Sequence, residues 1–121
     1  MYSAQVLDHF EHPRNAGVVD NPDAQVQIEN PACGDVVRLS LKISDGRIKE
    51  IRFLAKGCVA SVACASALTE LVRGSTVAQA HRLRREGIVE ALGGLPAASL
   101  HASHLAVDAL MAALDQAAGE G

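Results

Sequence analysis

Residues 37–55 read VRLSLKISDGRIKEIRFLA, and this stretch decides the fold class. Apolar and polar residues alternate on both sides of Asp45-Gly46, a dipeptide that favours the two-residue loop of a β-hairpin. The pattern predicts two antiparallel strands joined by a tight turn. The earlier segment 24–29, AQVQIE, alternates in the same way and predicts a third strand.

The register of the hairpin follows from which side chains must share its buried face. A turn at Asp45-Gly46, continued without interruption, would set Leu41 against Glu50. A one-residue bulge near Lys49 instead pairs Leu41 with Ile51 and keeps apolar residues opposite one another farther along. We therefore predict a bulged hairpin.

Cys33, Asp35 and Cys58 come together at the open end of this hairpin in either register. Each cysteine lies beside a glycine, which lets the backbone approach a bound group closely. Cys58 also precedes a predicted helix, whose dipole favours the thiolate that binds metal or accepts sulfur. A single free cysteine is often only a small buried hydrophobe. Two of them near a carboxylate favour a metal or sulfur site.

The remaining segments predict helices. Their ranges are 4–10, capped by Ser3, then 59–73, 76–80, 81–92 and a last helix that starts near His101. The expected inward residues are Val6, Leu7 and Phe10 in the first helix, Ser61, Cys64, Ala65, Leu68, Leu71 and Val72 in the second, and Val107, Leu110, Met111 and Leu114 in the last. Strands followed by helices predict an α+β fold, with helices packed on one face of a small three-stranded antiparallel sheet. The length, 121 residues, predicts a single domain over 1–121.

Composition narrows the function classes. The formal net charge is −3 and there are only three aromatic residues, which argues against a nucleic-acid partner. Residues 1–14 do not resemble a signal peptide, and no apolar run suggests a membrane span, so we expect a cytoplasmic protein. Three cysteines without a CxxC pair argue against a disulfide framework and a thioredoxin-type motif.

Four blocks of sequence resemble the U-type iron–sulfur cluster assembly scaffolds, a family that includes IscU and the N-terminal domain of NifU. These blocks are Asp8 to Asn15, Pro31 to Asp35, Arg52-Phe53 with Gly57-Cys58, and Leu100 to Leu110. The resemblance covers nearly the whole chain. It implies a compact α+β fold, a labile [2Fe–2S] cluster assembled on surface cysteines, and a role that is not enzymatic. The partners that it implies are a cysteine desulfurase, an iron donor and acceptor apoproteins.

The resemblance also implies the site residues. Cys33 and Cys58 match two of the three cluster-binding cysteines of the family. Asp35 matches an aspartate that tunes how firmly the cluster is held, and His101 matches the histidine before the third cysteine. Alanine, Ala102, stands where that third cysteine is expected.

Three residue sets offer a replacement for the missing ligand. Cys64 either contributes a thiol or packs in the core. Asp35 and His101 would complete a mixed sulfur, oxygen and nitrogen site with Cys33 and Cys58, which suits Zn²⁺ or an iron ion. His104 is a third candidate, although a histidine at the core edge is the simpler interpretation.

Two further readings remain at this point. A divergent relative that binds zinc stably would act as a regulatory or structural partner of the desulfurase. A zinc hydrolase or a thiol oxidoreductase has no matching motif in the sequence. The segment Leu95-Pro96-Ala97-Ala98-Ser99 keeps only the Leu-Pro of the family's chaperone-recognition segment, so binding to a DnaK-type chaperone is not implied.

Overall fold

The computed structural model describes residues 1–31 and 34–120. In chain order the elements are α1 (Ala4–Glu11), β1 (Ala24–Glu29), β2 (Val36–Ser44), β3 (Arg47–Lys56), α2 (Val59–Val72), α3 (Val77–His81), α4 (Arg85–Ala91) and α5 (His101–Asp115). A short 3₁₀ turn, Ala97–Ser99, precedes α5, and a final helical turn, Gln116–Glu120, follows it. The predicted α+β class is confirmed.

The three strands form one antiparallel sheet in the order β1-β2-β3. Ile43 pairs with Ile48 beside the turn, and Leu41 pairs with Ile51 beyond a register shift. The predicted bulge is therefore confirmed. It exists because the apolar side chains of both strands must face the same core.

Helices α2 and α5 cover the apolar face of this sheet, α2 on β3 and α5 on β1 and β2. The largest buried side chains from the sheet and these two helices are Leu39, Leu41, Ile48, Ile51, Leu68, Leu110 and Leu114. With only three aromatic residues in the chain, this core is built mainly from leucine, isoleucine, valine and alanine.

Helix α1 begins where the sequence predicts, because the hydroxyl of Ser3 accepts a hydrogen bond from the amide of Val6 at 3.0 Å. Its predicted inward face is right for Val6 and wrong for Leu7 and Phe10. Val6 and His9 are buried, whereas Leu7 and Phe10 are more than 40 % exposed. The helix is turned so that the polar His9 reaches α2, an arrangement that hydrophobic spacing alone does not predict.

Two other predictions need correction. The predicted helix 81–92 is interrupted, since residues 82–84 separate α3 from α4. Thr76 starts α3 with a capping box to Gln79. Leu71, expected on the inward face of α2, is 44 % exposed.

Residues 97–119 form a helical stretch of 23 residues with a mean hydropathy of 1.2, which is long and apolar enough to cross a membrane by length and composition. Half of its most apolar window is buried inside the protein. Helix α5 packs on both the sheet and α2, so this burial is typical of a helix in the core of a protein.

Candidate metal and sulfur site

Three side chains from distant parts of the sequence meet at the end of the hairpin opposite its turn. Asp35 directly precedes β2, Cys58 directly precedes α2, and His101 is the first residue of α5. One potential ligand atom from each of these residues lies within 4.8 Å of the other two. The sequence analysis named all three residues, and the structure brings them together.

The carboxylate of Asp35 is the centre of the cluster. Its Oδ2 lies 3.1 Å from Nε2 of His101 and 3.7 Å from Sγ of Cys58, and its Oδ1 accepts a hydrogen bond from the amide of Cys58 at 3.2 Å. Asp35 is 3 % exposed, whereas His101 and Cys58 are partly exposed. The carboxylate is therefore held from inside, while the thiol and the imidazole reach the surface.

Gly57 makes room for this carboxylate. Its φ is +138°, a value that L side chains rarely adopt, and a Cβ built on it would overlap the carboxylate of Asp35. The glycine beside Cys58 thus permits the close approach of a side chain of the protein itself, whereas the predicted approach to a bound group stays a prediction.

Cys58 occupies the N-cap position of α2, and its carbonyl accepts a hydrogen bond from the amide of Ser61 at 3.1 Å. The carboxylate of Asp35 accepts from the amide of Cys58, so the thiol and the carboxylate both lie at the start of α2. Cysteine binds metal and attacks sulfur as the thiolate.

His101 is oriented by a second hydrogen bond. Its Nδ1 lies 3.1 Å from the carbonyl oxygen of Ala98, an acceptor, so Nδ1 carries the proton of that bond. Nε2 is the nitrogen that faces Asp35. In metal sites, a ligating histidine typically donates a hydrogen bond from one ring nitrogen and binds the metal through the other.

Ser61 belongs to the site, although the sequence analysis placed it only on the inward face of α2. Its hydroxyl donates to Oδ2 of Asp35 at 2.8 Å and lies 3.4 Å from Sγ of Cys58. Its position three residues after the N-cap was the available indication, because residues at that position reach back to the start of the helix.

The other candidate ligands take different places. Cys64 is fully buried among apolar side chains, and burial raises the pKa of its thiol to about 12. Of its two predicted roles, packing is the one that this position favours. His104 is exposed, and its Nε2 lies 2.7 Å from Nη1 of Arg85. Cys33 lies outside the described residues.

The donor set can hold a tetrahedral metal ion. Ligands bound at about 2.0 to 2.3 Å in a tetrahedron lie roughly 3.3 to 3.8 Å apart. The separations around Oδ2 of Asp35, 3.1 Å to the imidazole and 3.7 Å to the thiol, are close to that range, and the thiol and the imidazole lie within 4.8 Å of each other. Sulfur, nitrogen and oxygen together suit Zn²⁺ and iron.

Comparison with known proteins places the chain among scaffold proteins. Residues 1–119 match the family described as the NifU-like N-terminal domain. The chain is 43 % identical over 114 residues to the iron-sulfur cluster assembly scaffold protein IscU 1 of Archaeoglobus fulgidus, an alignment that covers 94 % of this chain and 74 % of the relative. It is 42 % identical over 117 residues to IscU of Escherichia coli, with 93 % and 91 % covered.

Two crystal structures show the same fold at low sequence identity. A putative scaffold protein for the SUF system of Fervidobacterium islandicum aligns with a TM-score of 0.77 at 19 % identity, covering 93 % of this chain and 96 % of that one. The NifU-like N-terminal protein of Brucella abortus aligns with a TM-score of 0.77 at 20 % identity, covering 98 % and 95 %. The match to the family model and the identity to the two IscU proteins show that the chain belongs to the NifU-like N-terminal domain family.

Proposed function

We propose that this protein is an iron–sulfur cluster assembly scaffold, which binds iron and sulfide transiently as a labile [2Fe–2S] cluster and passes it to acceptor apoproteins. The observation that carries the proposal is the meeting of a thiol, a carboxylate and an imidazole within 4.8 Å at the surface of the protein. Relatives at 42 to 43 % identity are named cluster assembly scaffolds. Cys33, two residues before Asp35 in the chain, is proposed as a further ligand on sequence grounds.

The mixed donor set suits temporary binding. Thiolates are the usual ligands of iron–sulfur clusters, and the exposure of a cluster to solvent also changes its reduction potential. Here an oxygen and a nitrogen stand beside the sulfur of Cys58, and the side chain of His101 is 36 % exposed. An acceptor protein can therefore reach the cargo from the side of the imidazole and the thiol.

Cys58 is the proposed sulfur acceptor. Its thiolate would attack the outer sulfur of a persulfide on a cysteine desulfurase, form a new sulfur–sulfur bond, and release the desulfurase cysteine as a thiolate. The partial exposure of Cys58 supports this role, since a partner protein can reach its sulfur. An iron donor completes the set of proposed partners, and the reducing cytoplasm remains the proposed compartment because these thiols must stay free.

Anaerobic reconstitution tests the proposal. Wild-type protein is incubated with ferrous iron, cysteine and a desulfurase, followed by visible absorption and transfer to an apo-ferredoxin. We expect a red-brown chromophore that decays as the ferredoxin gains its own spectrum. Cys58→Ser is expected to abolish the chromophore, whereas the matched variant Cys64→Ser keeps it because Cys64 lies in the core.

The alternative function, stable zinc binding, gives a different result in the same experiment. A protein of that kind would stay colourless when it is incubated with ferrous iron, cysteine and the desulfurase. That outcome would contradict the scaffold proposal.

A further inference from the structure

A groove of about 720 Å³ runs between residues 81–86 and α5, and its lining contains none of Asp35, Cys58 and His101. Three arginines in its lining, Arg82, Arg84 and Arg85, have exposed side chains. We call this feature the basic groove. Among the described residues, no salt bridge involves Arg82 or Arg84, whereas Arg85 contacts Glu86 at 3.4 Å. Two guanidinium groups are thus available for carboxylates from outside.

Charge is unevenly distributed between the basic groove and the rest of the protein. The lining contains three arginines and two acidic residues, Glu86 and Asp108. The remaining sequence contains eight basic and twelve acidic residues. The basic groove is therefore a positive feature on a chain whose formal net charge is −3, and it attracts a negatively charged partner.

Apolar side chains add a second element of recognition. Leu83, Val107 and Met111 line the basic groove, and all three are half-buried against the core. Val107 and Met111 lie four residues apart on α5, so they form one stripe along its axis. A partner that fits needs acidic groups for the arginines and an apolar stripe for this floor.

We propose that the basic groove binds an acidic amphipathic helix of a partner protein, with its carboxylates on Arg82 and Arg84 and its apolar stripe on Leu83, Val107 and Met111. Helices commonly dock in grooves through such an apolar face. A nucleic acid fits less well. None of the three Phe and Tyr residues lines the basic groove, and two carboxylates in the lining repel phosphates.

The position of the basic groove suggests its use. His104, which contacts Arg85 at 2.7 Å, lies one helical turn after His101. A helix seated there lies close to the metal and sulfur site, so the groove would suit a protein that delivers or receives the cargo. This use rests on the proposed function, whereas the binding itself does not.

Binding of synthetic peptides tests the inference. The probe is a fluorescein-labelled helical peptide with one face of glutamate and one of leucine, followed by fluorescence anisotropy. Counterparts replace glutamate with lysine, or leucine with serine. We expect the glutamate–leucine peptide to bind, both counterparts to bind about tenfold more weakly or not at all, and added salt to weaken binding.

Two charge-reversal variants locate the binding surface. Arg82→Glu with Arg84→Glu should weaken binding of the glutamate–leucine peptide about tenfold or more. Lys49→Glu with Arg73→Glu makes the same charge change at other exposed positions, outside the basic groove, and should bind like the wild type. Equal weakening by both pairs, or tighter binding of the lysine peptide or of single-stranded RNA, would overturn the inference. Reconstitution of the Arg82 and Arg84 variant with ferrous iron and inorganic sulfide, which requires no partner protein, is expected to be normal, so this result is separate from the test of the scaffold function.

Discussion

The backbone of Gly57 lies against the side chain of Asp35, and the absence of a Cβ on Gly57 leaves the space that the carboxylate occupies. A Cβ on Gly57 would lie 2.7 Å from Cγ of Asp35 and 3.1 Å from its Cα, where no Cβ fits without movement. The residue that permits this contact also precedes Cys58. The presence of glycine at position 57 is therefore a condition for the arrangement of the site.

Replacing Gly57 with alanine is expected to disrupt this arrangement. The new methyl group must displace Asp35, and the positive φ strains any L residue. We expect the free energy of unfolding to fall by about 2 to 4 kcal/mol, from the combined costs of backbone strain and overpacking. Binding of Co²⁺, followed by its thiolate absorption band, should be lost or strongly weakened.

Gly74→Ala is the matched control for that variant. Gly74 also has a positive φ, +84°, but a Cβ there meets no atom within 4 Å. Gly74→Ala should cost about 1 to 2 kcal/mol from the positive φ alone and leave Co²⁺ binding unchanged. If Gly57→Ala bound Co²⁺ as tightly as the wild type, the proposed dependence of the site on this contact would be wrong.

Ser61 is expected to position Asp35 and Cys58. Ser61→Ala removes the hydroxyl that donates to Oδ2 of Asp35, and both residues are buried. A buried hydrogen bond to a carboxylate contributes about 1 to 3 kcal/mol, so urea unfolding should show a loss of this size. Loss of a group that orients a metal ligand should also weaken Co²⁺ binding by about 10- to 100-fold.

Ser66→Ala separates positioning from stability. Ser66 lies in the same helix and is equally buried, but its hydroxyl contacts His9 and the amide of Arg14. This variant should lose stability and keep its affinity for Co²⁺. Equal affinities of Ser61→Ala and the wild type would show that Ser61 only packs.

The sequence predicts the proximity of those site residues that the hairpin brings together. Alternation and the turn place Asp35 near Cys58, because apolar pairs such as Leu41 and Ile51 fix the register. His101 is 66 residues from Asp35, and its approach depends on how α5 packs on the sheet. Resemblance to a family supplied that residue, and spacing alone did not.

Helical phase proved less informative than strand register. An α-helix allows several faces of similar hydrophobicity, and α2 is apolar nearly all round, so its burial pattern does not follow from spacing. For this reason the spacing predicts Leu71 on the inward face of α2 and Ser61 as a packing residue. The choice between the two possible roles of Cys64 likewise depends on how deeply its side chain is buried, which the sequence does not show.

His9 should make the protein sensitive to mild acid. Burial lowers the pKa of His9 below its ordinary value of 6.5, and the nearby Arg14 acts in the same direction. As the pH falls through 6.5, the unfolded chain takes up a proton that the folded chain resists, so stability decreases until the lowered pKa is passed.

Urea unfolding of wild type and His9→Gln between neutral and acidic pH measures this effect. The variant is less stable at neutral pH, because it loses the 2.8 Å contact with Ser66. Its stability should nevertheless decrease less steeply below pH 6.5. Parallel profiles for the two proteins would contradict the assignment to His9.

Cys64 predicts a loss of stability in alkali. The pKa of its thiol is about 12 in the folded protein against an ordinary value of 9.0, mainly because of burial and secondarily because of the nearby Cys58. Above pH 9.0 the unfolded chain ionises this thiol while the folded chain does not, so the stability present below pH 9.0 is lost progressively up to about pH 12. The slope should be about 1.4 kcal/mol per pH unit, and other titrating groups cancel in a comparison of wild type with Cys64→Ala.

Cys64→Ala should begin less stable because of its cavity and then lose stability less steeply in urea unfolding above pH 9.0. Identical slopes would show that the thiol reaches solvent, which would return Cys64 to the candidate ligands.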